Sequence, residues 1–259
     1  MPIAEVNGTR LHYRFDGPED APVLMMSNSL GTDLHMWDGQ VETFTQHFRL
    51  LRYDSRGHGK SAAPEGPYSI DMLCQDAVGL LDAVGIAKPH FCGLSMGGMV
   101  GQWLAVNMPG RVGRLVLCNT SAHLPPRSLW DGRIEAVTAG GMEAVTQAVV
   151  ERWFTPGFRK AHREDVAKVR AMLLATPPAG YAASCMAIRD MDQRQTVSAI
   201  AALSMIVVGA HDPATPPDHG QFLQRAIHGS RLATIEAAHL SNIEAAAAFN
   251  QAVVTFLTN

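Results

Sequence analysis

The sequence predicts an α/β fold: a mostly parallel sheet covered on both faces by helices, begun by an antiparallel hairpin and interrupted by an inserted helical cap. Three observations carry that expectation. Short apolar runs alternate with segments of helical spacing through most of the 259 residues, the pattern of parallel strands joined by crossover helices. The first two runs differ, because Asn7-Gly8 lies between them and that pair suits a tight type I′ hairpin turn. Between Thr120 and about Gln195, helical periodicity continues with no convincing strand.

In chain order, Ile3–Val6 and Arg10–Phe15 form the hairpin. Val23–Ser27, Leu50–Tyr53, His90–Cys92, Arg114–Cys118, Met205–Val208 and Leu232–Ile235 are the strands that follow. Each is short and apolar, and segments with helical spacing separate them. The strand-free region holds helical patterns over Leu129–Ala139, Met142–Trp153, Arg163–Ala175 and Gly180–Asp190. Pro125-Pro126, Pro156-Gly157 and Pro177-Pro178 punctuate them. The expected organisation is a core of residues 1–120 and 195–259 with a helical cap of residues 121–194.

Composition excludes several functional classes. With 47% hydrophobic residues the chain is able to bury one large core. Its formal charge is −3 and its 21 lysines and arginines form no basic run, so no nucleic acid partner is expected. The N-terminus lacks the charged and apolar regions of a signal peptide, and no apolar stretch approaches the ~18 residues of a membrane span. The expectation is a cytoplasmic protein without membrane association. Cys74, Cys92, Cys118 and Cys185 lie far apart with no CxxC pair, so neither a metal site nor a disulfide framework is indicated.

Chemistry concentrates in "FCGLSMGGMVGQWLA", Phe91 to Ala105. A strand, a sharp turn with Ser95 at its tip and a helix follow one another there, the setting required of a G-x-S-x-G nucleophile elbow. Side chains two residues either side of the serine would collide in so tight a turn, and Gly93 and Gly97 remove them. Gly98 and Gly101 let the helix approach the sheet. The turn lifts the Ser95 hydroxyl clear and sets the Met96 N–H at a helix N-terminus, where developing negative charge is favoured. A dinucleotide fingerprint fails on spacing after Gly93. "DSRGHGKS" ends like a phosphate-binding loop but has Asp54 where the first glycine is needed.

A serine hydroxyl needs a base, itself oriented by an acid, in the chain order serine, acid, histidine. Asp212 follows the strand in "MIVVGAHDPATPP", and His239 follows the last strand in "LATIEAAHLSNIE". Both stand just past the carboxyl ends of strands, where catalytic groups gather in parallel sheets. Asp212 is also placed to open a turn at Pro213, and His58, His123 and His211 share predicted loops. The strand after the elbow helix ends in Asn119-Thr120-Ser121 and offers no carboxylate, which favours Asp212. A second oxyanion donor is expected from "SNSLGTDLHMW", at the Leu30 N–H.

The elbow, "YDSRGHGKS", "GAHDPATP" and "AAHLSNIE" together resemble the α/β-hydrolase superfamily across nearly the whole chain. Within it, "NSLGTDLHMWDGQ", "WDGRIEAV" and "RWFTPGFRKAH" are most similar to 3-oxoadipate enol-lactonases. Esterases, perhydrolases and haloalkane dehalogenases have similar elbows. The dehalogenase chemistry needs a carboxylate nucleophile where this chain has Ser95. A ligand-binding receptor on the same fold is a different class, and multiple-turnover hydrolysis separates it from an enzyme.

The resemblance implies a cofactor-free Ser95, His239 and Asp212 mechanism on a small anionic lactone. Burying the substrate carboxylate without a partner is costly, so a cap arginine is expected to meet it. Arg133 is the first choice, since Trp130 shares its helical face at i, i+3. Trp153, Met142 and Arg189 are further candidates for the pocket wall.

Overall fold

The computed structural model describes residues 2–259; Met1, which opens the expected core, lies outside them. Its eight strands are β1 (Ile3–Val6), β2 (Thr9–Asp16), β3 (Val23–Ser27), β4 (Arg49–Tyr53), β5 (His90–Leu94), β6 (Leu115–Cys118), β7 (Ser204–Gly209) and β8 (Arg231–Ile235). They join in one sheet in the order β1-β2-β4-β3-β5-β6-β7-β8. β2 pairs antiparallel with β1 and β4, and every other pair is parallel. All eight match the expected runs with ends shifted by at most two residues. Asn7 and Gly8 both take positive φ, 45° and 69°, as a type I′ turn requires.

The helices are α1 (Asp38–Phe44), α2 (Ile70–Ala83), α3 (Met96–Asn107), α4 (Arg127–Gly140), α5 (Glu143–Trp153), α6 (Pro156–Ala161), α7 (Arg163–Ala175), α8 (Pro178–Asp190), α9 (Pro217–Ala226), α10 (Ser241–Glu244) and α11 (Ala246–Thr258). α3 packs on β3, β5 and β6 and against α2, while α1 and α11 form a separate pair. β6 and β7 are buried at every residue, as strands covered on both faces must be. No single helix among the described residues is long and apolar enough to cross a membrane.

α4 to α8 fall between β6 and β7 and pack chiefly on one another, α4 on α8 most extensively. The two ends of this insertion are pinched together. His123 bridges Asp192, and Gln193 N–H donates to Ala122 O at 2.8 Å. Pro156-Gly157, which reads as a break in the sequence, instead opens α6. Proline is suited to a first helical turn, and the Thr155 hydroxyl caps it by accepting from Phe158 N–H at 3.3 Å.

Strand order places the site. From β3 the chain moves to β4 on one side, then crosses back to β5 on the other, so the loops leaving β3 and β5 diverge at a crevice. Gly97 N–H donates to Asn28 O at 3.0 Å across it, tying the elbow to the β3 loop. That approach is possible because residue 97 has no side chain. A Cβ there would lie 2.1 Å from Ser27 O, and one at Gly93 would lie 2.2 Å from Gly97 O.

Gly97→Ala should therefore abolish the native fold or lower its stability by more than ~4 kcal/mol, since backbone must move to admit the methyl. Gly132→Ala, in α4 with no heavy atom within 4 Å of the new Cβ, should stabilise by about 0.5–1 kcal/mol. Urea unfolding of both variants checks the contrast.

Candidate active site

Ser95 follows β5 and caps α3 with φ 57° and ψ −115°, a conformation that costs a non-glycine residue about 1–3 kcal/mol. The surroundings hold it there. Ser95 N–H donates to Cys118 O at 2.9 Å, and Ser95 O accepts from the Thr120 hydroxyl at 2.7 Å and from Met99 N–H at 3.1 Å. Ser95 lines a cavity of about 330 Å³ together with Leu30, His239, Trp130, Arg133 and Trp153.

Amide bookkeeping around this turn leaves two donors over. Ser29 N–H meets the Met36 sulfur at 3.3 Å, Gly31 N–H meets His58 Nε2 at 2.9 Å, and Gly97 N–H meets Asn28 O. Among the described residues the Leu30 and Met96 N–H groups have no such partner, although both residues are buried. Buried, unpaired amides are rare in folded proteins. Here one lies on each side of the crevice, a pair of donors able to take a developing oxyanion.

Asp212 follows β7 and is 3% exposed, yet five donors converge on it. Ala214 and Thr215 amides reach Oδ1 at 2.8 and 3.0 Å. Oδ2 takes the Thr215 hydroxyl at 2.7 Å, Asn119 Nδ2 at 3.0 Å and His239 Nδ1 at 2.8 Å. Burial alone would raise this carboxyl, but His239 first, then Asn119 and the Thr215 amide, outweigh it and hold Asp212 below its ordinary 3.8. Because a carboxylate only accepts, the His239 proton sits on Nδ1 and leaves Nε2 as an acceptor. No hydrogen bond joins His239 to Ser95 in this conformation, though both line the one cavity.

The His239 loop is held from several directions. Asn119, itself at φ 44°, donates to Ala238 O at 3.2 Å and accepts from the Ser241 hydroxyl at 2.6 Å. Leu240 N–H donates to Trp153 O at 3.1 Å. Glu244 accepts from Ala238 N–H at 2.9 Å and from the Thr155 amide at 3.2 Å and hydroxyl. Leu240 thus bonds the cap segment that carries Trp153 and Thr155 directly, and Ala238 is linked to it through Glu244.

The expected cap residues divide. Trp130, Arg133 and Trp153 line the cavity, with the Arg133 guanidinium 4.9 Å from the Trp130 ring centre. Met142 does not; it is buried just before α5, within the hydrophobic core. Arg189 does not either, because Asp131 at 2.8 Å and Asp190 at 2.9 Å hold its guanidinium at the surface. Arg152, Tyr181 and Thr215 line the cavity without having been singled out in the sequence. Arg152 directly precedes Trp153, a usable signal, whereas nothing local marks Tyr181. No group of three His, Cys, Asp or Glu side chains among the described residues is placed to hold a metal.

His58 braces the Leu30 loop as a neutral ring, accepting from Gly31 N–H while its Nδ1 donates to Arg56 O at 3.0 Å. Burial holds its pKa below the ordinary 6.5 against the opposing pull of Arg56 O and Asp54. Below 6.5 the unfolded chain takes up a proton that the folded chain refuses, so this stabilisation is lost as pH falls from 6.5 toward the folded value. Urea unfolding between about pH 7.5 and 5.5 should show His58→Gln losing less stability on acidification than the native chain, by ~1 kcal/mol. Parallel losses would contradict a neutral brace.

Comparison with known proteins identifies the family. The alpha/beta hydrolase fold family matches residues 22–246. 3-oxoadipate enol-lactonase 2 of Acinetobacter baylyi is 41% identical over 94% of this chain and 91% of its own length. 3-oxoadipate enol-lactonase 1 of the same organism is 36% identical over 93% and 91%. The crystal structure of the enol-lactonase from Burkholderia xenovorans LB400 superposes with a TM-score of 0.98 at 45% identity, covering 100% of both chains. An elbow serine at the crevice of such a sheet, under helices inserted before β7, and these relatives along nearly its full length mean that the chain belongs to the α/β-hydrolase family, as a hydrolase of the enol-lactonase group.

Proposed function

We propose that this chain hydrolyses 3-oxoadipate enol-lactone to 3-oxoadipate, a step in the breakdown of aromatic compounds, through an acyl-enzyme on Ser95. The observation that carries the reading is the pair of unpaired amides, Leu30 and Met96, either side of Ser95, whose cavity is also lined by Arg133 with no acidic partner among the described residues. The amides suit a tetrahedral oxyanion, and the guanidinium suits a carboxylate on the far side of the substrate.

His239 Nε2 takes the Ser95 proton as the hydroxyl oxygen attacks the lactone carbonyl. The Leu30 and Met96 amides stabilise the oxyanion, and Asp212 keeps the imidazole in the required tautomer and steadies its cation. Collapse breaks the ring C–O bond and returns the proton from His239 to the enol oxygen. That enol remains tethered to the acyl chain and is able to close the ring again; ketonisation removes it as a nucleophile. Water, deprotonated by His239, then attacks the acyl carbonyl and frees Ser95. The cap of residues 121–194 roofs this chemistry and supplies Arg133, Trp130 and Trp153 to the substrate.

Asp212→Asn should lower kcat by about 10⁴ with little change in KM, as expected when the histidine tautomer is lost. Arg133→Ala should lower kcat/KM on the enol-lactone by ~30-fold, about 2 kcal/mol, while a neutral lactone and an aryl ester change little. Arg133→Lys should recover part of the loss, since a point charge replaces a fork. A native preference for neutral esters would favour a general carboxylesterase or perhydrolase instead.

A further inference from the structure

The cavity carries a second cation that the lactone mechanism leaves unused. Arg152, in the last turn of α5, lines the same cavity as Arg133, and no Asp or Glu lines it. Neither guanidinium meets a carboxylate among the described residues. Arg52 meets Asp16 and Asp38, Arg56 meets Asp76, and Arg194 meets Asp192, while Arg49, Arg114 and Arg231 lie over aromatic rings outside this cavity. Two like charges facing one cavity repel each other unless a ligand supplies the opposite charge. Burial and then the Arg133 charge both push the Arg152 pKa downward.

The two cations stand at different places. Arg133 is on α4 and lines the cavity together with the buried Tyr181. Arg152 adjoins Trp153, whose carbonyl takes Leu240 N–H next to His239, so Arg152 belongs to the wall beside the catalytic loop. It also borders an outer cleft lined by His211, Glu236 and Glu244, which puts it at the cavity's edge.

We propose that Arg133 and Arg152 form a receptor for two carboxylates, so that the cavity binds linear six-carbon dicarboxylates. Assigning the carboxylates rests on the lactone reading. Arg133 holds the one the substrate already carries, and Arg152 receives the one created at Ser95. That second charge arises when water adds to the acyl carbonyl and the bond to Ser95 Oγ breaks. Ser95 regains its proton through His239, and the new acid releases a proton to solvent. The open-chain product is then a dianion facing two guanidinium groups, whereas the lactone is a monoanion, and dicarboxylates compete with substrate.

Calorimetric titration of the Ser95→Ala protein with adipate and with hexanoate, its monocarboxylate counterpart of equal length, tests the receptor without turnover. Adipate should bind at least about tenfold more tightly than hexanoate. Adding Arg152→Gln should weaken adipate by ~10-fold and leave hexanoate within about twofold, a modest effect because Arg152 is exposed. Adding Arg133→Gln should weaken both. Adipate binding no better than hexanoate, or unchanged by Arg152→Gln in a protein whose melting temperature is preserved, would overturn the proposal. Arg152-dependent adipate binding in a protein whose native form fails to open the enol-lactone would sustain the receptor and remove the proposed function alone.

Discussion

The backbone of Ser95 is the constraint on which the rest of the site depends. A positive φ at a residue with a side chain is unfavourable, and it persists because Cys118 O, Thr120 and the close Gly97 to Asn28 contact leave the turn no other path. The same turn directs the Met96 amide away from any internal acceptor. The β3 loop supplies a matching amide at Leu30 because its neighbours, Ser29 and Gly31, are satisfied by Met36 and His58. Strain at one residue and two unpaired amides beside it are parts of one arrangement, maintained by sheet packing.

Asp212 and His239 depend on a second arrangement, centred on Asn119. Buried at the end of β6 with φ 44°, Asn119 links Asp212, Ala238 and Ser241 through one side chain. A carboxylate so enclosed would favour its neutral form; five donors reverse that preference and keep it charged beside the imidazole. Glu244 extends the network into the cap through Thr155, so the position of α5 and α6 is coupled mechanically to the loop bearing His239. The cavity-lining residues of the cap and the imidazole beneath them are therefore not independent.

Much of this was legible in the sequence, for identifiable reasons. Strands announced themselves because buried parallel strands are continuous apolar runs, and the elbow did so because each glycine answers a steric demand of a few ångströms. The Leu30 amide, expected from loop order as a donor, is unpaired in the fold. What escaped were features decided by tertiary contact. Pro156-Gly157 reads as a break, yet Thr155 and Glu244 turn it into a helix start. Arg189 reads as a candidate for the pocket wall, yet Asp131 on another helix claims it. Asn119 shows in the sequence only as a missing carboxylate, and its role as a bridge between two loops distant in sequence appears only in the folded chain.

The central claim is that the strained serine is the nucleophile, and covalent labelling tests it most directly. Intact-protein mass spectrometry after exposure to a serine-directed phosphonate should show a single adduct on the native chain, localised to Ser95, and none on Ser95→Ala. Labelling of that variant at the native rate would contradict the account.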